Sequence, residues 1–150
     1  MSAPLAPRTQ RGFTLLELTV ALAVVGILAS LGWSGYSQHV QKARRAEGRA
    51  ALLQALLQQE RQFSYRHSYQ AFAPGARGTE FKWYSGDRPE TSAYSIAAQA
   101  CEGEDLRSCV RLTAVPGGPL VDAAYRDERC GTLHIDSRGG RGADGGASCW

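Results

Sequence analysis

Three regimes of hydrophobic patterning follow one another along the chain. From Phe13 to Trp33 the residues are apolar on every face, with one formal charge, Glu17, in 21 positions. At ~1.5 Å rise per residue such a run predicts a helix of roughly 30 Å, enough to cross the hydrocarbon core of a bilayer. The pattern then becomes amphipathic. Val40, Ala43, Ala46, Ala50, Leu53 and Leu57 recur at steps of three and four, with Lys42, Arg44, Arg45, Glu47 and Arg49 between them. One helix continuing to about Phe63 fits both halves, and its second half is expected to turn those six residues onto a core. Gly26, Gly32, Ser34 and Gly35 weaken the helix between the halves, each glycine by about 1 kcal/mol relative to alanine.

The third regime alternates. Residues His67 to Thr91 hold Pro74, Gly75, Gly78, Gly86 and Pro89 among Tyr69, Phe72, Phe81, Trp83 and Tyr84, which predicts a loop with its own packing residues and a short strand near Phe81 to Ser85. Tyr94 to Ala100, Cys109 to Val115 and Gly131 to Ile135 read as strands with two distinct faces. Pro116 to Pro119 and Gly139 to Gly142 break them, and the glycine-rich stretch from Gly139 to Gly146 reads as a flexible loop. The expected fold class is α+β: a long N-terminal helix whose second half packs on an antiparallel sheet.

Composition adds little. Hydrophobic residues at 43% and charged ones at 21% are ordinary for a globular domain and select no function class. Cysteine placement says more. Cys101, Cys109, Cys130 and Cys149 all fall in the last third, without the close pairs that grip zinc, so two disulfides and an oxidising compartment are expected. Spacing alone leaves three pairings open, of which the sequential one is preferred.

Charge points to the N-terminus. Arg8 and Arg11 precede the apolar run and few charges follow until Lys42, which places the N-terminal side in the cytoplasm. A secretory signal would have a shorter apolar core of about 7–15 residues, ending at a small-residue cleavage site. A plain anchor gives no reason for Glu17, since a carboxylate near the centre of a membrane costs about 2.5–3.5 kcal/mol.

The run Arg11-Gly12-Phe13-Thr14-Leu15-Leu16-Glu17, followed by about 20 apolar residues, resembles the class III signal of type IV pilins and related pseudopilins. The resemblance implies cleavage between Gly12 and Phe13 by a prepilin peptidase that also N-methylates Phe13, and an assembly role for Glu17. It implies a leader over residues 1–12, a transmembrane and assembly helix over 13–35, and a head over 36–150 with a disulfide-bounded C-terminal region from Cys130 to Cys149. The implied partners are other pilin subunits, the peptidase/N-methyltransferase, the inner-membrane pilus assembly platform and, before assembly, membrane lipid. The implied location is the bacterial inner membrane, with the head periplasmic, and then an extracellular pilus. Loss of the leader takes Arg8 and Arg11 with it and leaves 15 Lys and Arg against 14 Asp and Glu, so no general basic field survives.

Enzymatic chemistry finds no support: the chain offers no phosphate loop, nucleophile elbow or catalytic carboxylate pair. No cofactor is expected, and Asp136 with Asp144 make too thin a ligand set for calcium. DNA capture is the stronger second function. Arg107, Arg111, Arg126, Arg129, Arg138 and Arg141 lie near Tyr125 and Trp150, with Arg138 and Arg141 the candidate DNA contacts, though seven acidic residues are interspersed. The leading expectation is a type IV pilus subunit, preferentially a minor pilin promoting filament assembly. A DNA-binding competence pilin and a type II secretion pseudopilin are the alternatives.

Overall fold

The structure, a computed structural model, describes residues 12–150, with the side chains of residues 31–35 outside that description. The expected leader, with Arg8 and Arg11, lies outside the described residues except for Gly12. The chain divides after His39 into two units, and helix α1 (Leu15–Arg66) contributes to both. Its backbone is helical through Gly26 and Gly35. Up to Ser30 the side chains of Leu16, Leu18, Val20, Leu22, Val24, Val25, Ile27 and Leu28 are exposed on all sides. Two hydroxyls that would otherwise be bare are absorbed by the helix: Thr19 donates to the Leu16 carbonyl at 2.8 Å and Ser30 to that of Ile27 at 2.7 Å. Among the described residues no helix is long and apolar enough to cross a membrane.

In the second unit, α1 is followed by an antiparallel sheet in the order β1-β2-β3-β4, formed by β1 (Tyr94–Ala100), β2 (Val110–Pro116), β3 (Leu133–Asp136) and β4 (Arg141–Ala143). Alternation decides what faces inward. Tyr94, Ile96 and Ala98 of β1, Val110, Leu112 and Ala114 of β2, and Leu133 and Ile135 of β3 are buried. Ile96 lies opposite Ala114, which in turn lies opposite Leu133, so one row of the core crosses three strands. The free edge of β1 is covered by backbone from the preceding loop. Phe72 exchanges hydrogen bonds with Ala98, and the Ile96 N–H donates to the Trp83 carbonyl at 2.7 Å. Instead of the strand expected near Phe81 to Ser85 there is an isolated bridge, Tyr84 to Ser95. The aromatic residues there fill the core, with Phe72 stacked on Phe81 at 4.9 Å, and they hold the segment by packing.

Two further expectations are corrected. The glycine-rich stretch after Gly139 is not simply a loop, because Arg141 to Ala143 form β4 against β3. The absence of a side chain permits it: a Cβ on Gly142 would lie 2.8 Å from the His134 ring on the adjacent strand. Asp136 caps the connecting turn by accepting the N–H groups of Arg138 and Gly140 at 3.0 and 2.8 Å.

The second correction concerns α1. Ala43, Ala46, Ala50, Leu53 and Leu57, expected in the core, are exposed, Leu57 by 60%. The buried stripe is Arg45, Gly48, Leu52, Ala55 and Gln59, with Ala51 beside it. The two stripes share their spacing but are offset by two residues, or about 200° around a helix. The head thus selects the more polar of two opposite faces.

Specific partners explain the choice. The Arg45 side chain, 9% exposed, makes a bidentate pair with the fully buried carboxylate of Asp127, Nε to Oδ2 at 2.8 Å and Nη2 to Oδ1 at 2.7 Å. Tyr94 Oη donates to the same carboxylate at 2.6 Å, and the Cys130 N–H donates to it at 3.2 Å. Gly48 leaves room for the Tyr94 ring, since a Cβ there would come within 2.8 Å of it. At the far end Gln59 donates to the Gln70 carbonyl at 2.6 Å and accepts the Gln70 N–H at 2.9 Å, satisfying a loop backbone as a strand would.

Burial opposes the ionised form of Asp127, but the hydrogen bonds from Arg45, Tyr94 and the Cys130 N–H outweigh it and hold the carboxyl below its ordinary value. Burial first, then the hydrogen bond to Asp127, pushes the Tyr94 phenol far above its ordinary value, so it stays a donor. A carboxyl depressed on folding stabilises the head above its unfolded pKa, near pH 4, and that contribution is lost as pH falls through the folded value. Asp127→Ala is expected to lower head stability by about 3–5 kcal/mol, because it strands a buried guanidinium. In urea titrations the native midpoint should drop on acidification below about pH 4, and the variant midpoint should lose most of that dependence.

Candidate functional site

The N-terminal site is built by a helix start. Thr14 Oγ1 accepts the Glu17 N–H at 3.2 Å, capping α1 in the first half of a Thr-x-x-Glu capping box. This role of Thr14 was missed from the sequence, although the four-residue pattern signals it. The reciprocal half is not made: the Glu17 carboxylate takes no partner among the described residues. Phe13, the next residue after Gly12, is 86% exposed. Gly12, Phe13, Thr14 and Glu17 line one shallow cavity, so the residues singled out at the expected cleavage junction and the acid are brought together. An acid in the first turn also faces the positive end of the helix dipole.

At the other end of the chain the disulfides join Cys101 to Cys109 and Cys130 to Cys149. The first closes the connection between β1 and β2, and the second ties the start of β3 to the last turn of the chain. The preferred sequential pairing is the observed one. Gly145 is required in this closure, because a Cβ would sit 1.9 Å from the Arg129 carbonyl oxygen. The chain end is further held by Trp150, whose indole N–H donates to the Gly142 carbonyl.

The arginines singled out in this region are not equivalent. Arg138 is paired with Glu104. Arg126 donates to the carbonyls of Ala123 and Tyr125, so it is spent on its own loop. Among the described residues Arg141 has no ion pair, and its guanidinium lies 6.0 Å from the centre of the Trp150 ring. Asp136 and Asp144 sit at opposite ends of the β3-β4 hairpin and accept backbone N–H groups, Asp144 from Thr132 at 2.8 Å. Among the described residues no group of His, Cys, Asp and Glu is arranged to hold a metal. A second cationic and aromatic group, not picked out from the sequence, lies between α1 and β1. Lys82 sits 5.0 Å over the Tyr84 ring, beside Trp83, with Arg77 and Arg88 in the same segment. The signal in the sequence is the interleaving of Arg77, Lys82 and Arg88 with the aromatic residues of this loop.

An apolar helix headed by a lone carboxylate, an amphipathic continuation on an antiparallel sheet and a disulfide-closed C-terminal region together define a type IV pilin. Residues 7–33 match the prokaryotic N-terminal methylation motif. Residues 34–134, more than half of the chain, match the family described as "Type IV minor pilin ComP, DNA uptake sequence receptor", and the chain belongs to that family.

Over 39 residues it is 41% identical to the type IV major fimbrial protein FimA of Dichelobacter nodosus, covering 26% of this chain and 24% of that protein. Over 40 residues it is 38% identical to the fimbrial protein EcpC of Eikenella corrodens, covering 27% and 26%. The chain thus spans about a quarter of the length of these curated relatives. Among solved structures it is similar to a type IV pilin from Shewanella oneidensis, with 23% identity, a TM-score of 0.45, and 73% and 97% of the two chains covered. It is also similar to the non-core minor pilin PilV of Neisseria meningitidis, with 16% identity, a TM-score of 0.48, and 73% and 90% covered.

Thr14→Ala should weaken the start of α1 by about 1 kcal/mol. Hydrogen exchange at the Glu17 and Leu18 amides should speed up accordingly, with no change at Leu52 or Ile96.

Proposed function

We propose that this minor pilin is made with a leader over residues 1–12, which a prepilin peptidase/N-methyltransferase removes at Gly12-Phe13, methylating Phe13. Residues 13–35 form the transmembrane and assembly helix, and residues 36–150 the periplasmic head. The subunit is stored in the inner membrane and passed by the assembly platform into an extracellular filament with other pilin subunits. The observation that carries this reading is the Glu17 carboxylate, placed in the first turn of an apolar helix and unpartnered among the described residues.

Cleavage creates the missing partner. A new amine at Phe13 is cationic at neutral pH, and in apolar surroundings it attracts a carboxylate far more strongly than in water. Glu17 of one subunit paired with the Phe13 amine of its neighbour would offset two desolvation costs and set the axial register. The exposed stripe of Ala43, Ala46, Ala50, Leu53 and Leu57 supports the same reading, since it offers small and apolar side chains to a neighbouring helix. Glu17→Val should leave cleavage and membrane insertion intact but reduce recovery in sheared filaments at least about tenfold, the equivalent of ~1.4 kcal/mol. Normal recovery would refute the pairing.

The second reading is capture of DNA, favoured by the family match over residues 34–134. Arg141, lying beside Trp150, is the better contact, and Arg138 would have to leave Glu104 to reach a phosphate. The Lys82, Trp83 and Tyr84 segment offers a second set of cations and ring faces. Duplex binding by the full chain in detergent should fall with salt by about 0.9 log units per log unit of salt for each phosphate contact. Arg138→Ala with Arg141→Ala should flatten that slope. An unshifted duplex at low salt would dispose of this reading.

A further inference from the structure

One pocket in the second unit serves neither filament register nor the DNA contacts described above. It has a volume of about 270 Å³ and is lined by Lys42, Arg45, Arg49, Arg129, Ser148 and Cys149. Lys42, Arg45 and Arg49 follow one another at steps of three and four, so α1 presents them on one face. The opposite wall is held by the second disulfide. Arg129 adjoins Cys130 and Ser148 adjoins Cys149, so the Cys130–Cys149 bridge fixes both.

None of the lining residues is acidic. Asp127 neutralises Arg45 from beneath, which leaves Lys42, Arg49 and Arg129 without an ion pair among the described residues. Three uncompensated cations converging on a concave, hydroxyl-bearing pocket are the recognition chemistry of a phosphate group. Their placement in the sequence narrows the source. Lys42 is the first cation after the apolar run, nine positions beyond Trp33, so on the membrane-storage reading the pocket belongs to the part of the head next in sequence to the bilayer.

We propose that this pocket binds the headgroup phosphate of an anionic phospholipid in the outer leaflet of the inner membrane while the subunit is stored. The inference rests on the membrane-storage reading given above. Headgroup capture adds a polar tether to the apolar anchor. Such a tether must be released when the subunit leaves the membrane, so the pocket biases the stored state against the assembled one.

The test uses the full chain. Flotation with phosphatidylcholine vesicles reports membrane insertion by itself. Native mass spectrometry of the chain released from mixed phosphatidylcholine and phosphatidylglycerol nanodiscs then counts the lipid retained. The expected result is preferential retention of phosphatidylglycerol by about tenfold. The preference should be lost in the double variant Arg49→Gln with Arg129→Gln and kept in Lys82→Gln, with the urea midpoint of each close to that of the parent.

Equal retention of the two lipids by a chain that floats overturns the pocket proposal and leaves membrane storage standing. Failure to float with any vesicle removes both. Displacement of phosphatidylglycerol by an equal concentration of inorganic phosphate would show a small-anion site, and its displacement by duplex DNA, with DNA affinity falling in the double variant, would show part of a DNA surface. Either result overturns the lipid assignment.

Discussion

The head is organised around one buried carboxylate. Asp127 is held by Arg45 of the helix, Tyr94 of the first strand and the backbone N–H of Cys130, so three separate elements meet on two oxygen atoms. Each donor offsets part of the cost of burying the charge. The arrangement also fixes position: a bidentate guanidinium pair tolerates little rotation of the helix, and Tyr94 is the first residue of the strand from which the sheet grows. The same node sets where Cys130 lies, and hence where the second disulfide can close.

That node explains why the helix turns its less apolar face inward. A core built only by burial would have taken Leu53 and Leu57, each worth roughly 1.5–3 kcal/mol when fully buried. It takes Arg45, Gly48, Leu52, Ala55 and Gln59 instead, because each meets a specific complement: a carboxylate, an aromatic ring that needs space, a packed sheet face or a loop backbone. The consequence is functional. The cleaner apolar stripe stays on the surface, where the proposed filament packing would cover it.

The C-terminal region combines two demands. The disulfides, the Gly145 contact and the Trp150 indole make it rigid, and rigidity holds Arg129, Arg141 and Ser148 at fixed sites. Rigid presentation of cations favours binding to phosphate, because little side-chain freedom is left to lose. Arg138, by contrast, is drawn into a pair with Glu104. Net charge therefore predicts little about this surface, and the local pairing of each guanidinium predicts more.

Features that depend on neighbours along the chain were legible in the residues alone. These are the apolar run with its single acid, the alternation that makes Tyr94 to Ala100 a strand, and the two disulfides that four cysteines signal. All are read locally, because helix and strand periodicity and the desolvation of one charge need no distant partner. The family was legible for the same reason.

Long-range contacts settle which side of the helix is inside, that a glycine-rich stretch forms β4, and which arginines stay without an ion pair among the described residues. Two stripes with the same spacing lie on opposite faces of α1, and nothing local ranks them. The choice falls to Asp127, 82 residues away from Arg45 in sequence, which no periodicity connects to it.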